Sequence, residues 1–157
     1  MKIQLLTVGK TQQDFVQKGV DEFAGRIKHY LPFELEVIPD LKNTRNLSQE
    51  QIKEKEGELI LKNIRSEDYI VLLDEKGKEF TSLLFAQYIE KKMHSVSKRL
   101  VFIIGGAYGF SPAVYQAAHE KIALSKMTFS HQIIRVIFIE QLYRALSILN
   151  NEPYHHE

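Results

Sequence analysis

The sequence predicts an α/β layered domain built on a mainly parallel sheet of five to six strands flanked by helices. Three observations carry this. Strand-like and helix-like segments alternate from one end of the chain to the other. Two strand-like runs, 69–73 and 100–104, are continuously apolar, as strands covered on both faces are, and are therefore expected at the centre. The length of 157 residues suits one domain, 1–157, with a single core.

Taken in order, "KIQLLTVG" reads as a buried strand stopped by Gly9. Val16, Val20, Phe23, Ile27 and Tyr30 recur at helical spacing and predict a helix from Asp14 to Leu31. "ELEVIP" sets Leu35 and Val37 against Glu34 and Glu36 in a strand stopped by Pro39. The polar stretch from Asp40 to Ser48 is expected to be a mobile loop. Ser48 with Gln51 makes a capping-box pattern that opens a charged helix to about Ile64. "DYIVLLDE" is an apolar strand, and Ser82 is the expected cap of a helix through Met93. "RLVFIIGG" is a second such strand. Ser111 then caps a helix with Pro112 at its first position, where the missing N–H costs nothing. "KIALS" is the last strand, and the last helix follows His131. No repeat, low-complexity tract or linker interrupts this order.

Composition excludes several chemistries. There is no cysteine, so disulfides, thiolate nucleophiles and thiolate metal sites are ruled out. The six histidines show no H-E-x-x-H spacing, and no metal site is expected. No apolar stretch has the length of a membrane span or a signal-peptide core, and the protein reads as cytoplasmic. Net charge is +1, which does not mark a free-standing nucleic-acid binder. Lys76 with Lys78, Lys91 with Lys92 and Lys98 with Arg99 read as solvated clusters rather than a phosphate track.

In open parallel sheets ligands gather at the carboxyl ends of the strands. Three such ends stand out: Leu73-Asp74 followed by "EKGK", "GGAYG" from Gly105 to Gly109, and "LSKMTF" from Leu124 to Phe129. Glycines there allow a ligand to reach the backbone, but they also serve a tight strand-to-helix turn. Walker A, G-x-G-x-x-G and G-x-S-x-G patterns are missing. What remains is a metal-free cleft of glycines, backbone and apolar side chains, suited to a flat adenine ring.

The last helix raises its own question. It is apolar nearly all round, yet it carries Arg135, Glu140 and Arg144. Such a helix is expected to be buried, with its charges paired or used. Ile134, Ile137, Phe138, Leu142, Ala145, Leu146 and Leu149 form a stripe that can face the sheet. Ile133, Val136, Ile139 and Tyr143 form a second stripe, for which a symmetric partner is the simplest cover. Glu140 and Arg144, four apart, are expected to pair.

"LLDEKGK", "FIIGGAYGF", "ALSKMTFSHQIIRVIFIEQLYRA", "NNEPYH" and the opening "KIQLLTVGK" together resemble the RlmH family of SPOUT-class methyltransferases. The likeness runs from Met1 to Glu157. It implies a C-terminal trefoil knot, S-adenosyl-L-methionine as cofactor, and a homodimer. The implied substrate is large-subunit ribosomal RNA, methylated on N3 of a pseudouridine in the intact ribosome. The implied cofactor site is Leu73, Gly105 and the loop Leu124, Ser125, Lys126, Met127, Thr128 and Phe129. By themselves Met127 and Phe129 would read as core plugs, and Ser130 as a helix cap with Phe129 stapled to Ile134. The chain departs from the family pattern at Ser130, where proline is usual, and at His156, where lysine or arginine is usual.

A pseudouridine N3 must lose its proton to attack a methyl group, so a proton acceptor or an anion stabiliser is required. His131, at a helix start whose dipole disfavours imidazolium, is one candidate; a histidine merely bonded to backbone is the alternative. Arg135 is expected to steady the anion, anchor a phosphate, or pair with a carboxylate at the dimer seam. Tyr154 and His155, in a tail with no apolar face, suit stacking on a splayed RNA base. Without the resemblance the same tail would read as a frayed end. Methylation of another RNA base, such as one in transfer RNA, and a non-catalytic nucleotide- or ribosome-binding dimer are the competing readings.

Overall fold

A computed structural model describes residues 1–156. The elements are β1 (Lys2–Val8), α1 (Asp14–Ile27), β2 (Phe33–Ile38), α2 (Gln49–Lys62), β3 (Tyr69–Glu79), α3 (Ser82–Ser95), β4 (Arg99–Ile104), α4 (Pro112–Ala117), β5 (Glu120–Ala123) and α5 (Ile133–Leu149). The sheet has five strands in the order β2-β1-β4-β3-β5, every pair parallel. β4 is central and buried at all six positions, the five from Leu100 to Ile104 as their apolar run requires and Arg99 through its pairing with Asp68.

Alternate strand residues feed two cores. On one face Leu5, Val71, Phe102 and Ile104 pack under α1, α3 and α5 through Val20, Phe85, Ile89, Phe138 and Leu142. On the other face Leu6, Leu72, Val101 and Ile103 pack under α2 and α4 through Ile60 and Val114. Burying each such Leu, Ile or Phe side chain stabilises the fold by about 1.5–3 kcal/mol.

Several boundaries differ from expectation. α1 ends at Ile27 rather than Leu31, and its last turn tightens into i→i+3 bonds such as Tyr30 N–H to Ile27 O at 2.9 Å. Leu31 precedes Pro32, whose ring disfavours helical backbone there. The cap of α3 is Thr81, whose Oγ1 accepts from Leu84 N–H at 3.2 Å, so Ser82 is already inside the helix. α2 carries the capping box of Ser48 and Gln51 as read. β3 continues four residues past the expected Glu75 by rejoining β5 after an excursion.

α5 lies between α1 and α3 on the sheet. Its second stripe has a cover within the chain: Ile139 is fully buried, Val136 sits over Gly19, and the Tyr143 ring packs 5.9 Å from Phe23 and 6.2 Å from Tyr30. The stripe therefore does not by itself require a second copy. Only Ile133 of the four is exposed.

The tail is not frayed. Asn151 adopts φ +57°, and Glu152 N–H bonds to Ser147 O at 2.9 Å while Asn151 N–H bonds to Ile148 O at 3.1 Å, a Schellman ending of α5. This reversal lays the tail back on the helix. The Tyr154 ring packs 4.6 Å from Tyr143 and its hydroxyl donates to Glu140 at 2.9 Å. Glu140 and Arg144 form the expected pair at 2.6 Å, and Arg144 also reaches His155 Nδ1 at 3.0 Å.

Candidate active site

Three strand ends converge, each shaped by its own local chemistry. β3 leaves the sheet after Leu73 and returns at Lys78, both residues registering on Ile122. Within that excursion Asp74 accepts from Lys76 N–H at 2.8 Å, an Asx turn, and from the Tyr115 hydroxyl. Gly77 passes so close to β5 that a Cβ would lie 2.6 Å from Ile122 backbone, so no larger residue fits. β4 ends in Gly105 and Gly106. The loop after β5 is turned by Ser125 Oγ, which accepts from Met127 N–H at 2.9 Å, and is tied to the β3 excursion by Thr128 Oγ1 donating to Glu75 at 3.0 Å.

Between them lies a cleft of about 480 Å³. Leu73, Gly105, Leu124, Ser125, Met127, Thr128, Phe129 and His131 all line it. Lys126, exposed on the outside of the loop, does not. Met127 is 76% exposed, which removes the core-plug reading for it. Ser130 Oγ accepts from Ile133 N–H at 3.0 Å, the bond expected of a cap, but the residue adjoining α5 is Gln132, whose side chain makes no cap bond. A Cβ at Gly105 would lie 3.1 Å from the ring of Phe110, which also lines the cleft.

Arg135 stands behind the wall, with no exposed surface. Its guanidinium donates to Val8 O at 2.8 Å, Thr11 Oγ1 at 3.1 Å and His131 O at 3.0 Å. Gln132 adds two more links to the loop after β1, accepting from Gln12 N–H at 2.9 Å and donating to Lys10 O at 3.3 Å. Arg135 therefore bonds inside its own chain, not to a seam carboxylate. It sets the position of His131 instead of facing the cleft. Burial lowers its pKa, against the pull of Asp40. Burial also lowers the pKa of His131, helped by the Arg135 charge and opposed by Asp40.

Tyr154 and His155 lie elsewhere. Their anchor at Arg144 and the cleft wall at Ile134 are about 15 Å apart along α5, at roughly 1.5 Å per residue. One chain does not bring the tail to its own cleft.

Two charged groups near the cleft have no signal in the local sequence. Lys53 lines it from α2. Glu56, one turn on, lays its carboxyl against Gly106 and leaves Oε1 buried with no partner. Neither residue stands in a recognisable motif; only the packing of α2 against the glycine turn brings them here. Among the described residues no group of His, Asp and Glu is placed to hold a metal ion, and no helix is long and apolar enough to cross a membrane.

Comparison with known proteins defines the class. The family described as "Predicted SPOUT methyltransferase" matches residues 1–155, and the chain belongs to that family. Over the whole of both chains it is 67% identical to the ribosomal RNA large subunit methyltransferase H of Parabacteroides distasonis. The corresponding proteins of Phocaeicola vulgatus and Bacteroides thetaiotaomicron are 64% and 59% identical, again over their full length. These full-length relatives bear out the resemblance to the RlmH family.

Proposed function

We propose that the protein methylates large-subunit ribosomal RNA, on N3 of a pseudouridine in the assembled ribosome, with S-adenosylmethionine as methyl donor and as a homodimer. The observation that carries this reading is the single cleft that Leu73, Gly105 and the 124–129 loop share in a chain alike end to end to named large-subunit ribosomal RNA methyltransferases. Work on ribosomes implies the cytoplasm.

The residues present fit the cofactor. The volume of about 480 Å³ lies within the roughly 300–1,000 Å³ of cofactor sites. Gly105 and Gly106 offer backbone without Cβ atoms, while Phe129 and Ile134 supply apolar faces. Leu73, Gly105, Leu124, Ser125, Met127, Thr128 and Phe129 would hold the adenosine. When bound, S-adenosylmethionine supplies an electrophilic methyl group. The protein's own task is then alignment and proton removal. His131, on the wall and kept neutral, takes the N3 proton of the base. Arg135 holds His131 in place through its carbonyl.

The tail enters through the dimer. Two α5 helices packed antiparallel about a two-fold axis set the C-terminal half of one beside the N-terminal half of the other. The exposed Ile133 and the half-buried Ile137 give α5 an apolar surface for that contact. Tyr154 and His155 of the second copy would then face the cleft of the first and stack on the RNA base.

The test is methyl transfer from radiolabelled S-adenosylmethionine to intact ribosomes, separated subunits and transfer RNA, side by side. Label is expected in large-subunit RNA of intact ribosomes. Label in transfer RNA alone, or none with the cofactor bound, would replace this reading with another base or a non-catalytic role.

A further inference from the structure

The carboxylates that line the cleft, Asp74 and Glu75, are already engaged, and Glu56 stands just behind the wall against Gly106. Asp74 accepts from Tyr115 and Lys76, and Glu75 accepts from Thr128. Glu56 differs. Its Oε1 is buried and bonds to nothing, an arrangement that costs free energy unless a donor arrives.

The packing holds Glu56 in this place. Gly57 fits α2 against the Ser111 cap, since a Cβ there would meet the Ser111 hydroxyl. A Cβ at Gly106 would lie 2.6 Å from Glu56 Oε2 and 2.8 Å from Oε1, so glycine is what allows the carboxyl to reach the strand-end turn. Gly106 lines the cleft, and so does Lys53, three residues from Glu56 on the same face of α2. Lys53 has its own partner in Glu50 at 3.1 Å and leaves Glu56 unneutralised.

We propose that Glu56 is the anionic partner of the α-ammonium group at the methionyl end of the cofactor. This rests on the cofactor reading above and extends it from the adenosine to the amino-acid arm. Burial, with repulsion from Asp40, pushes the Glu56 carboxyl above its ordinary range, as fits a group awaiting a cation. The ammonium would supply the missing donor and the missing charge together.

Titration calorimetry on the full-length protein tests it with two probes. S-Adenosylhomocysteine carries the amino-acid arm, and 5′-methylthioadenosine keeps the adenosine and thioether without it. Glu56→Gln and Glu56→Ala are measured beside the wild type, with melting curves to confirm folding. Both variants are expected to weaken S-adenosylhomocysteine by about 10- to 100-fold and 5′-methylthioadenosine by less than about threefold. Equal losses for the two probes, or no loss for S-adenosylhomocysteine, would overturn the assignment. A wild-type protein that binds neither probe would overturn the cofactor reading itself, and this inference with it.

Discussion

The Arg135 guanidinium donates to the carbonyl oxygen of Val8 at 2.8 Å, so the residue most expensive to bury joins the end of β1 to the start of α5. Its other two bonds, to Thr11 and to His131 O, make it the fixed point from which the His131 loop hangs. Arg135→Ala leaves these acceptors without a donor and opens a cavity. It is expected to lower the unfolding free energy by about 3 kcal/mol, read by urea titration. A loss below about 1 kcal/mol would mean that the bonds are not what holds the loop.

His131 carries a pH signature. Its folded pKa lies below the ordinary 6.5 because burial and Arg135 disfavour the imidazolium. The unfolded chain therefore binds this proton more readily, and stability falls as pH drops below about 6.5, until the folded pKa is reached. Above that range the group contributes no pH dependence. His131→Gln is expected to flatten this acid slope, and imidazole NMR should give a midpoint under 6.5. A midpoint above it would contradict the burial argument.

The tail is bound but separable. Through Tyr154 its contacts are the Tyr143 ring at 4.6 Å and one hydrogen bond to the partly buried Glu140, together worth on the order of 1 kcal/mol. The Glu140–Arg144 pair stays within α5. Deleting Pro153 to Glu157 is therefore expected to move the melting temperature by only about 2–4 °C and to leave cofactor binding intact. Methylation of ribosomes should be lost. Full activity of the truncated protein would remove Tyr154 and His155 from the RNA contact.

At the opposite end of the sheet, Asp68 and Arg99 form a buried bidentate pair at 2.6 and 2.8 Å, with Arg99 also bound to Gln4. Burial alone would raise the Asp68 pKa, but the Arg99 bonds prevail and hold it low. Asp68→Ala strands a buried guanidinium and is expected to cost about 3–5 kcal/mol. Cofactor affinity should stay unchanged in the folded fraction, because the pair sits at the ends of the strands away from the cleft.

What was legible in the sequence followed from local chemistry. The capping box at Ser48, the cap at Ser111 and the apolar run of β4 each dictate their structure within a few residues, and the strand-end rule located the cleft. What was not legible depends on long-range packing. Nothing near Val136 or Tyr143 announces that α1 will cover them, so a symmetric partner is the simplest cover the sequence offers. Glu56 looks like one more charge on a charged helix until Gly106 is placed beneath it. Arg135 reads as a functional cation because two of its three acceptors, Thr11 Oγ1 and Val8 O, lie far away along the chain. Apart from the family resemblance the tail reads as a frayed end, because its contacts are aromatic and ionic, not periodic.

The three converging strand ends are the proposed S-adenosylmethionine site. Amide chemical-shift mapping on isotope-labelled protein tests it most directly. On addition of S-adenosylmethionine, the largest shifts are expected at Leu73, Gly105, Gly106 and Leu124 to Phe129, with Asp68 and Arg99 unmoved. Shifts centred on the Asp68–Arg99 end of the sheet, with the 124–129 loop unchanged, would place the cofactor elsewhere.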